Sequence, residues 1–159
     1  MGIINTLNIE ELKQQYRETG YVVIKNLLRD EVAQAAYEAL KNRVPWEFHY
    51  REMNTGRVGV VNPADLERLT PREIKRLVPT MATLKDNDFS FAYCRYTIPS
   101  GAADCPEPVR ILSEIFHYFN SDEYLGLLAD ITGNASGKEV STWCSRYDRN
   151  HHLSVHMDE

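Results

Sequence analysis

The sequence predicts an α+β protein in which helices come first and strands last. Three features carry this: capped amphipathic segments after Asn8, Asp30, Thr70 and Pro108; an alternating aromatic run from Phe89 to Ile98; and two strand-like runs, Val140 to Tyr147 and His152 to Asp158, near the carboxyl end.

Asn8 is an N-cap candidate because Glu11 stands three residues on, where its carboxylate can reach back to a free backbone amide. Ile9, Leu12 and Tyr16 then share a face, and Gly20 can take the left-handed conformation that ends a helix. The apolar, β-branched run Tyr21 to Leu28 predicts a strand. Asp30 is expected to cap a second helix carrying Val32, Ala35, Ala36 and Leu40, stopped by Pro45. Trp46 to Val61 reads as irregular, with a turn signal at Thr55-Gly56. Thr70, Pro71 and Glu73 form a second capping signature, and Pro79 is expected to kink or end that helix. In the strand from Phe89 to Ile98, Phe91, Tyr93 and Arg95 fall on one side and Ala92, Cys94 and Tyr96 on the other. Pro108 opens a helix with Val109, Leu112, Phe116 and Phe119, and Ser121 caps another that ends at Gly133.

A length of 159 residues suits one domain, with residues 1–87 a mainly helical opening region and 88–159 a strand, helices and the first core strands. The net charge of -5 and the lack of any Lys/Arg block argue against a nucleic-acid partner. No stretch approaches the roughly 18 apolar residues of a membrane span, so a cytoplasmic location is the expectation. Cys94, Cys105 and Cys144 are an odd, scattered set without CxxC spacing and are expected to be plain thiols.

The chemistry concentrates in the last dozen residues. Alternate residues of a strand share a face, so His156 and Asp158 can aim at one cation, and an imidazole with a carboxylate suits divalent iron. Taken alone, His-x-Asp is a weak signal that surface polar residues supply equally well. His152 lies about 13 Å from His156 along an ideal strand, too far to share an ion. His49 and His117 read as a loop residue and a helix residue.

The longer string Tyr147-x-x-Asn150-x-x-Leu153-x-x-His156-x-Asp158-Glu159 resembles the first metal-binding strand of the prolyl-hydroxylase-like oxygenases that use iron(II) and 2-oxoglutarate. There the pattern is Tyr-x-x-Gly-x-x-Leu-x-x-His-x-Asp. Asn150 replaces the glycine, a mild departure, since asparagine is the residue next most tolerant of unusual turn geometry. The run Gly20 to Leu28, the strand from Phe89 to Tyr96 and the Leu128 to Gly133 segment are similar to the same family, so the likeness spans most of the chain, although only its end is specific.

The resemblance implies part of a double-stranded β-helix, the jelly-roll or cupin-like core, with the N-terminal helices packed on it. It implies that His156 and Asp158 bind Fe(II), that Tyr147 hydrogen-bonds the co-substrate 2-oxoglutarate, and that O2 takes an open iron position. The implied reaction is hydroxylation of an aliphatic carbon of a prolyl residue or other peptidyl or small-molecule substrate, with release of succinate and CO2. Retention of Asp158 favours hydroxylation over halogenation, for which related enzymes carry a small residue there. The family's second iron histidine and the basic residue that anchors 2-oxoglutarate do not follow within the chain, so the expectation is the N-terminal portion of an oxygenase domain, inactive by itself. Two rival readings stay open: a non-catalytic protein-interaction module, and a cupin-type metal hydrolase, against which the sparse histidines count.

Overall fold

The computed structural model describes residues 2–52, 55–77, 89–99 and 105–154. Its contacts divide the chain into two compact units, each made of two stretches: Met1–Val44 with Ile98–Thr142, and Pro45–Thr97 with Trp143–Glu159. The first is helical among its described residues. The second carries an antiparallel sheet with two short helices, so the fold is α+β with an open sheet.

In the helical unit, α1 (Ile9–Thr19) begins where the sequence places it, with the Asn8 side chain accepting the Glu11 amide at 3.4 Å. The Glu11 carboxylate closes the cap differently from expectation, taking the Asn8 side-chain amide at 3.2 Å rather than a backbone N–H. Gly20, at φ 77°, ends the helix in the left-handed region, where a Cβ would be strained. The predicted strand from Tyr21 to Leu28 does not form. Tyr21 and Val23 are 63% and 64% exposed while Val22 and Ile24 are half-buried, and the run pairs with no strand among the described residues. Asn26 turns the chain at φ 52°, and the segment is tied to the N-terminus by an isolated bridge, Ile4 to Leu28, and by the Asn5 side-chain amide, which donates to the carbonyls of Asn26 and Leu28 at 2.8 and 3.1 Å.

Helix α2 (Asp30–Asn42) starts one residue earlier than a capping role for Asp30 requires. Asp30 is its first helical residue and acts by its charge at the positive end of the helix dipole, with no side-chain cap bond. Val32, Ala36 and Ala39 form its buried stripe, whereas Ala35 is exposed. The stripe packs on α5 (Arg110–Phe119) and on the 3-10 turn Glu107–Val109 before it, where Val109, Leu112 and Ile115 are buried. Ser121 caps α6 (Asp122–Thr132) by accepting the Tyr124 amide at 3.3 Å, Gly133 closes it at φ 71°, and α6 packs on α1. Asn120 pins the following loop by exchanging hydrogen bonds with both backbone groups of Val140, at 2.8 and 3.1 Å.

In the sheet unit, the segment read as irregular is a β-hairpin, β1 (Glu47–Arg51) with β2 (Val58–Val61), turning through Gly56 at φ 68°. The charged residues Glu47, His49 and Arg51 disguise the alternation of Phe48 and Tyr50. They lie on the open face, where charge is tolerated. Gly59 faces Tyr50 across the hairpin, and a Cβ there would run into the phenol ring. Helix α3 (Pro63–Leu66) packs on β1, and α4 (Pro71–Leu77) has the expected capping box, with Thr70 and Glu73 exchanging backbone and side-chain bonds. Pro79 lies outside the described residues.

Strand β3 (Phe91–Thr97) is the sheet's centre, in the order β2-β1-β3-β4, with β5 also on β3. The predicted alternation holds: Ala92, Cys94 and Tyr96 are buried. The predicted strand over residues 140–147 shortens to β4 (Trp143–Arg146), and β5 is described over His152–Leu153. Phe48, fully buried and paired with Cys94, anchors the closed face. Phe48→Ala is expected to lower the unfolding free energy by roughly 3–5 kcal/mol, read from urea denaturation, since a large aromatic leaves a cavity that the paired strands cannot collapse.

Candidate functional site

Ala92 pairs with Tyr50 on one side of β3 and with His152 on the other, and Cys94 pairs with Phe48 and Arg146. Strands β4 and β5 therefore lie along one edge of β3 and act as a single interrupted strand. Between the two registers only Tyr93 remains on β3, and it is opposed by five residues, Tyr147 to His151. Such an excursion re-aims side chains that a regular ladder would hold in alternation.

The excursion closes on a turn in which the His151 amide donates to the Asp148 carbonyl at 3.0 Å. Asn150 occupies its third position at φ 72°, the left-handed conformation that glycine and asparagine accept most readily. This is where the sequence pattern places asparagine for glycine. Tyr147 stacks on Tyr93 with ring centroids 5.3 Å apart. Partial burial, and then the neighbouring Tyr93, push its phenol above the ordinary tyrosine range, so it stays a protonated donor around neutral pH.

By register, Tyr147 and Tyr93 share the open face with Phe91, Arg95, Trp143 and Leu153. Tyr147 and Trp143 are 50% and 47% exposed, so this face is aromatic and solvent-facing. Arg95 stacks on Trp143 at 4.8 Å, and its Nε is buried with no hydrogen-bond partner among the described residues. His49, read from the sequence as a loop residue, lies on the same face of β1 and pairs with Glu47 at 3.1 Å.

On the closed face, Cys94, Asp148 and His151 bring ligand atoms within 4.8 Å of one another, close enough for a metal ion. Their surroundings do not fit one. The Arg146 guanidinium donates to the Asp148 carboxylate at 3.1 Å and to Cys94 Sγ at 3.6 Å, while lying 5.1 Å above the Trp46 ring. A cation already occupies the place a metal would need. Burial pushes the Cys94 thiol up, so it is a neutral thiol that meets the guanidinium. His151 Nδ1 accepts the Asp148 amide hydrogen at 3.0 Å, and its ring packs 5.2 Å from Phe48. The trio is a structural knot around Arg146, invisible in the sequence because it depends on the register of β3 with β4.

Of the residues singled out by sequence, Tyr147 stands on the open face, while His156 and Asp158 lie outside the described residues. His152 is buried on the opposite face from Tyr147, with Nε2 3.0 Å from Ser90 Oγ. His117 is exposed on α5. Cys94 and Cys105 are buried and Cys144 is half-buried.

Comparison with family models, curated proteins and solved structures gives no match in any of the three. Among the described residues, no helix is long and apolar enough to cross a membrane.

Because Arg146 fills the Cys94 cluster, cobalt(II) added to the folded protein should give no thiolate-to-cobalt absorption, and Cys94 should resist alkylation at neutral pH until the chain is unfolded. A near-ultraviolet cobalt band that disappears in Cys94→Ser would make the cluster a metal site after all.

Proposed function

We propose that the chain is the metal-binding portion of a 2-oxoglutarate- and iron(II)-dependent oxygenase of the prolyl-hydroxylase-like kind, hydroxylating an aliphatic carbon of a peptidyl or small-molecule substrate. The observation that carries this reading is Asn150 at φ 72° within a five-residue excursion that starts at Tyr147 and leads into His156-x-Asp158. The pattern it resembles carries glycine at that position, and a left-handed asparagine is compatible with a glycine there.

The antiparallel sheet with one closed and one open aromatic face is consistent with one wall of a double-stranded β-helix whose interior is the Tyr93 and Tyr147 side. His156 and Asp158 would hold the iron. Bound there, Fe(II) with 2-oxoglutarate and O2 would supply the oxidation, converting the keto acid to succinate and CO2 as the substrate carbon gains a hydroxyl. Tyr147, a protonated phenol held in place by its stacking on Tyr93, would donate a hydrogen bond to a 2-oxoglutarate carboxylate and fix its orientation. Phe91, Tyr93 and Leu153 would dry the surface beside it.

At the described end of β5 the Ser154 amide continues the ladder to the Ser90 carbonyl at 2.9 Å, and the Ser90 amide donates to the Ser154 hydroxyl at 2.9 Å, in the role a backbone carbonyl would fill.

One observation favours the interaction-module reading. Val58 and Val60 are 60% and 52% exposed on the same open face as Trp143, a surface a protein partner could cover.

Anaerobic titration separates the two. Fe(II) plus 2-oxoglutarate should give the visible charge-transfer absorption of a chelated keto acid, lost in His156→Ala and Asp158→Ala. Tyr147→Phe should weaken 2-oxoglutarate binding about tenfold, the value of one hydrogen bond to a charged group. Asn150→Gly should leave both intact. Absence of any absorption change in the wild type would leave the module reading standing.

A further inference from the structure

Each face of the sheet carries an arginine stacked on a tryptophan, and the two differ in what meets the charge. On the closed face Arg146 lies 5.1 Å above the Trp46 ring, and Asp148 takes its guanidinium at 3.1 Å. On the open face Arg95 lies 4.8 Å from the Trp143 ring, and no carboxylate among the described residues pairs with it. Its cross-strand partner on β1 is an acid, Glu47, but that carboxylate turns to His49 at 3.1 Å.

An exposed arginine without an acid is ordinary, because water meets its donors. Arg95 differs from that case. It is half-buried, and its Nε is buried with no hydrogen-bond partner among the described residues. A guanidinium keeps its charge throughout the physiological range, and stacking on a ring fixes the direction of its donors before any ligand arrives. The group is therefore charged, oriented and short of an acceptor, where its counterpart on the closed face is satisfied.

The surroundings narrow the chemistry of the missing acceptor. Tyr93 stands two residues back on β3, about 7 Å along the strand. Its ring stacks on Tyr147 at 5.3 Å and meets Phe91 at 5.7 Å. A fixed guanidinium takes a carboxylate through parallel N–H bonds, and rings beside it take an apolar or aromatic body. Charge favours a single negative group. Glu47 lies opposite Arg95 in register, so a doubly charged phosphate would face that carboxylate as well as the guanidinium.

We propose that Arg95 and Trp143, with the Tyr93 and Tyr147 rings beside them, form a binding site for a small carboxylic acid with an aromatic or apolar body. All four residues belong to the sheet unit. The site needs neither a metal nor 2-oxoglutarate, so it goes beyond the oxygenase reading and stands or falls apart from it.

The test is a titration of the full chain, without metal, with N-acetylphenylalanine, followed in N–H correlation spectra through the Arg95 Nε–H and Trp143 indole resonances. Both should move and saturate. N-acetylphenylalaninamide keeps the ring but lacks the charge, and should bind about tenfold more weakly or worse. Arg95→Gln should weaken binding of the acid about ten- to a hundredfold while leaving the weak binding of the amide unchanged. Should Arg95→Gln fail to fold, the comparison of acid with amide on the wild type carries the test. Equal binding of acid and amide, or resonances unmoved up to the solubility limit of the acid, would overturn the site. Tighter binding of phenyl phosphate or of 2-oxoglutarate at the same two resonances would overturn its assignment to an apolar acid.

Discussion

Strand β3 holds two other strands along one edge, β4 by residues 94–97 and β5 by residues 91–92, and the five residues between them have a single residue of β3 to face. Backbone hydrogen bonding cannot absorb five residues against one, so the surplus must leave the plane of the sheet. Everything distinctive in this unit follows. The surplus forms the turn at Asp148 to His151, folds Tyr147 onto Tyr93, and restarts the ladder at His152.

Both faces of the sheet register the excursion. On the closed side it delivers Asp148 and His151 to Arg146, whose charge is met by a carboxylate, a neutral thiol and the Trp46 ring together. That arrangement is self-sufficient, and the guanidinium leaves no demand for a metal. On the open side the excursion leaves the Tyr147 phenol amid aromatic side chains on a solvent-facing surface. The two sides thus differ in kind. One is electrostatically closed, and the other has donors and apolar area to offer.

Much of the helical architecture was legible because capping is local. Asn8 and Glu11, Thr70 and Glu73, Ser121, Gly20 and Gly133 all announce helix ends within a few residues of chain. The β3 alternation was legible for the same reason. The run from Tyr21 to Leu28 misled because β-propensity reports fitness for a half-buried surface, and Tyr21 and Val23 have none to join. The β1 and β2 hairpin was obscured by Glu47, His49 and Arg51 on its open face. In the site, the left-handed backbone at Asn150 suits the tolerance for unusual turns that asparagine itself signals. The bonds of Ser90 to His152 and Ser154 could not be read: they depend on a register set by contacts 62 and 64 residues apart, which no local signal encodes.

The account stands on where a cation goes. Among the described residues the Cys94, Asp148 and His151 trio brings ligand atoms close enough to hold one, whereas the proposal puts it at His156 and Asp158. Paramagnetic broadening of backbone amide resonances by substoichiometric Mn(II), with 2-oxoglutarate present, separates them by proximity. The account predicts the strongest broadening at residues 155–159, then at Tyr147, with α1 unaffected. Broadening centred on Cys94, or spread over α1 with the carboxyl-terminal amides untouched, would contradict it.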